Sequence, residues 1–386
     1  MRVLRILTRA NLGGPARQAL NLWRADSVAG TQTLLVVGTC LADECELDLG
    51  GMPTIAPGEV DEGSRGLVRA LRLGRATRPW RDLQCTGELR RFIRRFRPDV
   101  VHTHTSQAGF YGRRAALAER VPVVAHTFHG HVLADYTSRP VAGLFRRLES
   151  RLARRTDLLF AVAESCRDEL HAMGIGNGRI EVLPPATQLQ PFADGSRSAA
   201  RRMMGVGDDE FLVGWAGRLV PVKRPELFVD LLNREPRIRG VMFGTGALAN
   251  QLVARDNLSI RGAVQDLHHY LAGLDALVMT SKREGCPLVS LEAFAAGVPV
   301  LGFDVPGVRD VLARWGRGLL VPEASGVAGL QAGLKQLMGD RELATKCVLE
   351  SRRGLPRFEA EPVAARQARA YRAMLERIAP RGAIAS

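Results

Sequence analysis

Arg218 and Lys223 stand five residues apart on the loop Gly217-Arg218-Leu-Val-Pro-Val-Lys223, between the apolar run FLVGWAG and a helix that Pro225 opens. Arginine offers a planar fork of donors and lysine a compact point charge, so together they can hold one diphosphate. Lysine is scarce in this chain: among 54 basic residues only Lys223, Lys282, Lys335 and Lys346 are lysines. Lys282 opens a second charged loop, Lys282-Arg-Glu284-Gly285-Cys286-Pro287-Leu288-Val289-Ser290-Leu-Glu292. Pro287 suits the first turn of a helix, which leaves the N–H groups of Leu288, Val289 and Ser290 unpaired and favours a phosphate there. Glu284 precedes that helix, and Glu292 lies inside it with a side chain leaning back toward the helix start. Glu292 can therefore accept from two hydroxyls of a ribose and Glu284 can face a sugar; taken alone, Glu292 reads first as a solvated helix residue.

Two other places could do chemistry. Gly13-Gly14-Pro15 follows the first apolar run, where glycines admit a ligand close to the backbone and free N–H groups face whatever sits above. Five of the eight histidines fall after two successive runs, His102 and His104 in HTH, then His126, His129 and His131 in HTFHGH. No Cys, Asp or Glu joins them at ligand spacing, so no metal is expected. Hydrogen bonding to sugar hydroxyls or phosphate suits them, and core packing suits His126 above all. Gly244-Thr-Gly246-Ala-Leu-Ala249 matches a dinucleotide fingerprint, with Asp266 twenty residues after Gly246. It follows the second strand of its half, however, and Asp266 lies beyond a third, which argues against dinucleotide binding.

The elements that position these residues show as short Val-, Ile- and Leu-rich runs alternating with stretches of helical period, the pattern of parallel strands joined by helices. Strands are expected at 3–7, 33–38, 99–104, 121–128, 157–163 and 180–184, then again at 211–217, 240–244, 258–262, 276–281, 299–303 and 318–322. The fold class is α/β, with two Rossmann-like domains, and in such sheets ligands bind at strand carboxyl ends. The boundaries read as 1–188, a first domain; 189–209, a linker rich in Pro, Gly, Asp and Ser; 210–358, a second domain; and 359–386, a last helix returning to the first domain.

Composition sets the frame. The chain has 386 residues, 46% hydrophobic and 24% charged, with a net charge of +14, a globular profile with an attraction for anions. Aromatics make up 5% and form no stacking stripe, which disfavours nucleic acid as the partner. Six cysteines are scattered without a C-x-x-C pair, and no run of about 18 apolar residues occurs, so a soluble cytoplasmic chain is expected. Residues 65–97 hold eleven Arg against Asp82 and Glu88, and 139–155 six Arg against Glu149. These read as solvated helix faces or as contacts to an anionic membrane.

With Glu284 and Glu292 as an E-x7-E element, and with Arg218, Lys223, the Gly13-Gly14 loop, HTHTSQAGFYGRRAA, HTFHGH, AVAESCRDEL and LEAFAAGVPVLGFDVPGVRDVL, the chain resembles family 4 retaining glycosyltransferases of the GT-B fold over nearly its whole length. The resemblance implies two domains facing across a cleft. It implies that Arg218 and Lys223 hold the donor diphosphate, Glu292 the ribose, and Glu284 with Gly285, Cys286, Pro287, Leu288 and Val289 the donor sugar and phosphate. Gly13 and Gly14 would close on the donor, Gly262 to Val264 would lie against the base, and His129 would contact the transferred sugar. The catalytic set is then Glu284, His129, Arg218 and Lys223, with His102, His104, His131 and Tyr111 on the acceptor side. The chain departs from the family at Pro185-Ala186-Thr187 and at Val305-Pro306-Gly307.

The expected activity is hexosyl transfer from a nucleotide sugar, UDP-linked in preference to GDP-linked, to a hydroxyl of a saccharide or lipid-linked acceptor with retention, in polysaccharide or glycolipid synthesis. No cofactor is expected. Without a D-x-D element for a divalent metal, Arg218, Lys223 and helix N-termini would balance the leaving charge. The expected location is the cytoplasm or the inner face of the cell membrane. Two alternatives stand: a nucleotide-sugar epimerase or hydrolase on the same architecture, and a basic nucleic-acid binder. Asp135 would be the base if the family reading failed.

Overall fold

In the computed structural model the apolar runs become strands because each is covered on both faces, which removes the alternation of a half-solvated sheet. The structure describes all residues except 29, 41–43, 75–78, 131–138, 177, 190–195 and 379–386. His131, Asp135 and the end of the 359–386 segment lie outside the described residues. Met1–Leu41, Glu46–Thr187 and Phe358–Ser386 form one compact unit and Ala42–Cys45 with Gln188–Arg357 a second.

The first unit runs β1 (Arg2–Leu7), α1 (Gly14–Val28), β2 (Gln32–Val37), β3 (Thr54–Ile55), β4 (Gly66–Arg69), α2 (Pro79–Phe96), β5 (Val100–His104), α3 (Ser106–Ala118), β6 (Val123–Phe128), α4 (Arg139–Arg154), β7 (Leu158–Ala161), α5 (Glu164–Ala172) and β8 (Ile180–Val182). Its strands pair in the order β3-β4-β2-β1-β5-β6-β7-β8, all parallel. The order reverses between β1 and β5, and there the loops after the two strands diverge to opposite faces. Part of the basic stretch 65–97, expected as helix, is β4: Leu67 and Val68 are buried between β2 and β3.

The second unit contains α6 (Ser196–Met204), β9 (Leu212–Ala216), α7 (Pro225–Arg234), β10 (Arg239–Phe243), β11 (Leu258–Ile260), α8 (His268–Leu271), β12 (Ala276–Met279), α9 (Leu288–Ala295), β13 (Val300–Phe303), β14 (Leu319–Val321), α10 (Gly326–Gly339) and α11 (Arg341–Gly354). Its parallel sheet has the order β11-β10-β9-β12-β13-β14, so the reversal falls between β9 and β12. Within 189–209, where a linker was expected, α6 is helical because Ala200, Arg201 and Met204 share a buried face. The fully buried Arg201 donates to the carbonyls of Gly273 (3.1 Å) and Glu210 (2.9 Å) and pairs with Asp275 at 2.6 Å.

The last helix, α12 (Ala360–Ile378), belongs to the first unit. Val363, Ala364 and Tyr371 pack with Leu22 and Ala25 of α1 over Val3, Val100 and Val123 of the sheet. The opposite face is covered by α2 and α3 through Leu89, Phe92, Phe96, Ala108 and Ala115. The departure at Pro185-Ala186-Thr187 is where the chain leaves the first unit. Thr187 donates N–H (2.7 Å) and hydroxyl (2.9 Å) to the carbonyl of Phe358, where the chain re-enters it.

Candidate active site

In an open parallel sheet the crevice for a ligand lies where the strand order reverses. In the second unit this selects the loops after β9 and β12, the two that carry the charged motifs. After β9 the chain passes through Gly217 and Arg218 into a single turn at Pro221–Lys223 and then α7. After β12 it passes through Thr280 to Pro287 into α9. The two loops are laced together: Lys282 N–H donates to the carbonyl of Val222 at 2.9 Å, and the Thr280 hydroxyl to that of Lys223 at 2.7 Å. Trp215 fixes the Thr280 hydroxyl from the other side at 2.9 Å.

This lacing places Lys223 against Glu284. The ammonium donates to Glu284 Oε1, which also accepts from the Ser281 hydroxyl at 2.6 Å. Backbone contacts hold Glu284 as well, since its N–H donates to the Pro306 carbonyl at 3.0 Å. Gly307, with φ +78°, leaves room for this, because a Cβ there would stand 2.3 Å from the Glu284 carbonyl oxygen. Val305-Pro306-Gly307 thus serves as the floor of the Glu284 loop. Arg218 is half-buried and makes no side-chain hydrogen bond or ion pair among the described residues. Glu292, Gly285 and Cys286 are half-buried on and before α9, whose first N–H groups, those of Leu288 and Val289, lack a partner among the described residues. The third expected free group is not free: Ser290 N–H donates to the Pro287 carbonyl at 3.1 Å.

Arg224 went unnoticed in the sequence and holds this site together. It occupies the left-handed region at φ 48°, ψ 53°, a conformation that costs a side chain of order 1 kcal/mol or more. From there its guanidinium donates to the carbonyls of Thr280 (2.7 Å) and Ser281 (3.0 Å), pairs with Glu323 at 2.9 Å and lies 4.8 Å from the centre of the Phe303 ring. The residue next to Lys223 therefore clamps the loop that presents Glu284. No spacing rule signals a left-handed arginine; its adjacency to Lys223 was the only available hint.

The Gly-Thr-Gly fingerprint has a purely internal explanation. A Cβ at Gly244 would lie 1.8 Å from the Gly217 carbonyl oxygen, and one at Gly246 2.6 Å from that of Leu219. The glycines let the loop after β10 press on the Arg218 loop, with Leu219 N–H donating to the Thr245 carbonyl at 2.9 Å. Gly262 and Val264, half-buried after β11, join the same system through Gly244 N–H, which donates to the Gly262 carbonyl at 2.6 Å.

At the reversal in the first unit, between β1 and β5, the polar groups are histidines. His102, His104, His126 and His129 follow one another across β5, β6 and the loop after β6. His102 is fully buried, with Nδ1 bonded to the Tyr371 hydroxyl and Nε2 to Thr127 Oγ1 at 2.7 Å. Beside it Arg5 forms a buried ion pair with Asp26 at 2.6 Å. These bonds tie α12 and α1 to the sheet, so His102 carries a structural load. His126, also buried, bonds Thr103 Oγ1 at 2.8 Å and packs edge-on against Phe128. Tyr111 is buried in the core with residues of α2 and α3.

His104 and His129 remain at the strand ends, bonded Nδ1 to Nε2 at 3.0 Å; His104 Nε2 is buried without a partner among the described residues. Burial drives all four imidazoles down: His102, His104 and His126 to well below the ordinary range, with neighbouring positive charge adding to the effect, and His129 to about 3. All are neutral at pH 7. Across the reversal Thr8 Oγ1 bonds Thr105 Oγ1 at 2.6 Å and accepts from Ala108 N–H at 3.1 Å. Thr105 sits at φ 67°, rare for a β-branched residue. Gly13 receives the Arg17 N–H at 3.1 Å just before Gly14 opens α1. A Cβ at Gly13 would meet nothing nearer than 3.9 Å, so internal packing does not demand a glycine there.

Both units match families of known proteins. Residues 13–186 match the family described as Glycosyl transferase 4-like domain, and residues 196–353 match Glycosyl transferases group 1. The chain is 28% identical over 261 residues to the Escherichia coli UDP-Gal:alpha-D-GlcNAc-diphosphoundecaprenol alpha-1,3-galactosyltransferase, which covers 62% of this chain and 67% of that protein. It is 29% identical over 314 residues to the D-inositol 3-phosphate glycosyltransferase of Kribbella flavida, covering 73% and 72%. Among solved structures, Anabaena HepE in complex with UDP and glucose superposes with a TM-score of 0.77 at 16% identity, over 97% of this chain and 100% of that one. WaaG, a glycosyltransferase involved in lipopolysaccharide biosynthesis, gives 0.71 at 16% identity over 95% and 98%. With both units matched and with charged loops at the sheet reversal of the second, the chain belongs to the family 4 glycosyltransferases and has the GT-B fold.

Proposed function

We propose that this glycosyltransferase moves a hexosyl group from a nucleotide sugar, UDP-linked in preference to GDP-linked, to a hydroxyl of a saccharide or lipid-linked acceptor, with retention and without a metal. The observation that carries the proposal is the pairing of Lys223 with Glu284, on the loops that carry Arg218, which has no side-chain partner among the described residues, and lead into α9. Arg218 grips the diphosphate as a fork, Lys223 supplies a point charge, and the Leu288 and Val289 N–H groups donate to a phosphate oxygen. Entry of the diphosphate draws Lys223 toward it and leaves Glu284 for sugar hydroxyls. Glu292 holds the ribose.

As transfer proceeds, the bond from the anomeric carbon to the phosphate oxygen breaks and a bond to the acceptor oxygen forms on the same face. The acceptor proton passes to a phosphate oxygen of the leaving diphosphate. The charge that develops there is balanced by Arg218, Lys223 and the helix start, all in place beforehand. In this reading Arg218 and Lys223 do the charge balancing that a metal would otherwise supply.

The uridine preference draws on HepE, solved with UDP and glucose, and on the E. coli relative, named for UDP-Gal. The same relative is named for a diphosphoundecaprenol acceptor, which favours an acceptor carried on lipid and a working place on the inner face of the cell membrane. Among the described residues no helix is long and apolar enough to cross a membrane, so attachment would be peripheral. A thermal-shift screen of nucleotide sugars tests the donor: the true donor at about 100 times its Kd stabilises by about 2.7 kcal/mol. Lys223→Ala should then lower kcat on the order of 10²- to 10³-fold. Near-normal turnover by that variant, or full conversion of donor without acceptor as an epimerase would give, refutes the reading.

A further inference from the structure

The basic stretch that is densest in the sequence is partly paired in the structure. Among the described residues of 65–97, Arg69 pairs with Glu46, Arg90 and Arg94 with Glu119, and Arg97 with Glu62, while Arg65 and Arg91 are exposed without a side-chain partner. Arg95 donates to the carbonyls of Pro57 and Gly58. Four of these arginines are thus held on acids of the same unit, and Arg95 on carbonyls.

Helix α4 differs on every count. Its single acid, Glu149, turns inward to a buried ion pair with Arg113 at 2.7 Å. Arg146, Arg147, Arg151 and Arg154, with Arg155 just beyond, are exposed and make no side-chain bond among the described residues. The apolar side of the helix is buried at Leu152, but toward the start of the helix it emerges: Val141 is 41% exposed, Leu144 58% and Phe145 42%. Three large apolar side chains thus stand in solvent within two turns, beside uncompensated positive charge.

We propose that α4 is a docking surface for an anionic lipid bilayer, lying in the plane of the interface with Val141, Leu144 and Phe145 among the acyl chains and the arginines on the headgroups. The charge selects the occupant. A second copy of the helix would be repelled, whereas anionic headgroups supply what five unpaired arginines lack, and the adjacent apolar residues gain by leaving water. This deepens the peripheral-membrane part of the proposed function and names the surface responsible; it does not depend on which nucleotide sugar is the donor.

The test is flotation of the full chain with vesicles of phosphatidylcholine alone or mixed with phosphatidylglycerol. Wild-type protein should float with the anionic vesicles only, and high salt should release it. Arg147→Gln with Arg151→Gln should lower partitioning about 30-fold, at about a tenfold or somewhat smaller loss per arginine. Leu144→Ser with Phe145→Ser should lower it by about tenfold or more. Arg94→Gln with Arg97→Gln removes the same formal charge from paired positions and should change it less than about threefold. The substituted side chains are exposed, and far-UV circular dichroism verifies that each variant folds.

Failure of the wild type to float refutes the proposal, as does an equal loss in the Arg94/Arg97 variant, which would mean diffuse charge attraction. Retention by the Leu144/Phe145 variant refutes the inserted face, and capture by an acidic polypeptide without flotation assigns the surface to a protein. Donor turnover on a water-soluble acceptor, measured alongside, separates this failure from failure of the transferase reading: α4 variants should turn over as wild type.

Discussion

At the β1/β5 reversal the polar atoms are buried and largely bonded to one another: His102 to Tyr371 and Thr127, His104 to His129, Thr8 to Thr105. At the β9/β12 reversal they are charges, with Lys223 and Glu284 paired at the surface of the loops and Arg218 unpartnered among the described residues. Both places have the same topology, a pair of diverging loops at the end of a parallel sheet. One is filled with neutral groups that burial keeps neutral, the other with fixed charges that wait for a counter-charge. Topology therefore chooses where a site sits, and the side chains alone choose whether it meets a ligand by shape and hydrogen bonding or by electrostatics.

Acid should break the comparison most visibly. The buried His102, His104 and His126 and the half-buried His129 hold folded-state values below the ordinary imidazole value of 6.5, His129 at about 3. Above pH 6.5 they cost nothing; as pH falls below it the unfolded chain gains protons that the folded first unit refuses. Stability then declines by up to about 1.4 kcal/mol per pH unit for each histidine, until each folded value is reached. The second unit has only the exposed His268 and His269. Calorimetry between pH 7 and 5 should show one transition falling steeply and the other little; an equal fall in both would contradict the assignment.

A smaller effect is expected from Tyr371→Phe. Removing the hydroxyl leaves His102 Nδ1 buried without that partner, and about 1 to 3 kcal/mol of first-unit stability should go with it. Affinity for UDP, a property of the second unit in the proposed function, should be unchanged. Joint loss of both would mean that the histidine network reaches further than the bonds described.

Smallest of the three is Arg224→Lys. It keeps the charge and the strained backbone but loses the fork that joins Thr280 and Ser281, so Lys223 and Glu284 lose their mutual register. UDP should bind on the order of tenfold more weakly, since small misplacements of aligned groups cost that much or more. Uridine, which does not use the diphosphate cations, should bind as before. A parallel loss for both ligands would assign Arg224 to general folding and not to positioning.

Much of this was legible in the residues. Long apolar runs such as TLLVV and VVAHTF could only be buried strands, and Lys223, Glu284 and the start of α9 were marked by residue type and spacing. Thr54–Ile55 and Gly66–Arg69 were not legible as strands, because two and four residues give no periodicity and Arg65, Arg69 and Arg72 mimic a polar helix face. The histidines were located but not sorted. His102 and His104 sit two apart on one face of β5, and what separates them is depth under α12, a helix that arrives more than 250 residues later in the chain. The burial of Tyr111 likewise depends on α2, which packs against its helix. Short-range pattern carries position, while burial is set by distant chain.

That distance also bears on how the protein is made. The first unit closes over Arg5 and His102 only when Tyr371 is in place, and Tyr371 leaves the ribosome after the whole of Gln188–Arg357. Apart from Ala42–Cys45, the second unit is one continuous segment and can complete its core while the first still lacks a helix. During synthesis the usual amino-to-carboxyl order of domain folding should therefore be inverted here, and a nascent chain truncated before α12 should carry a finished second unit beside an unfinished first.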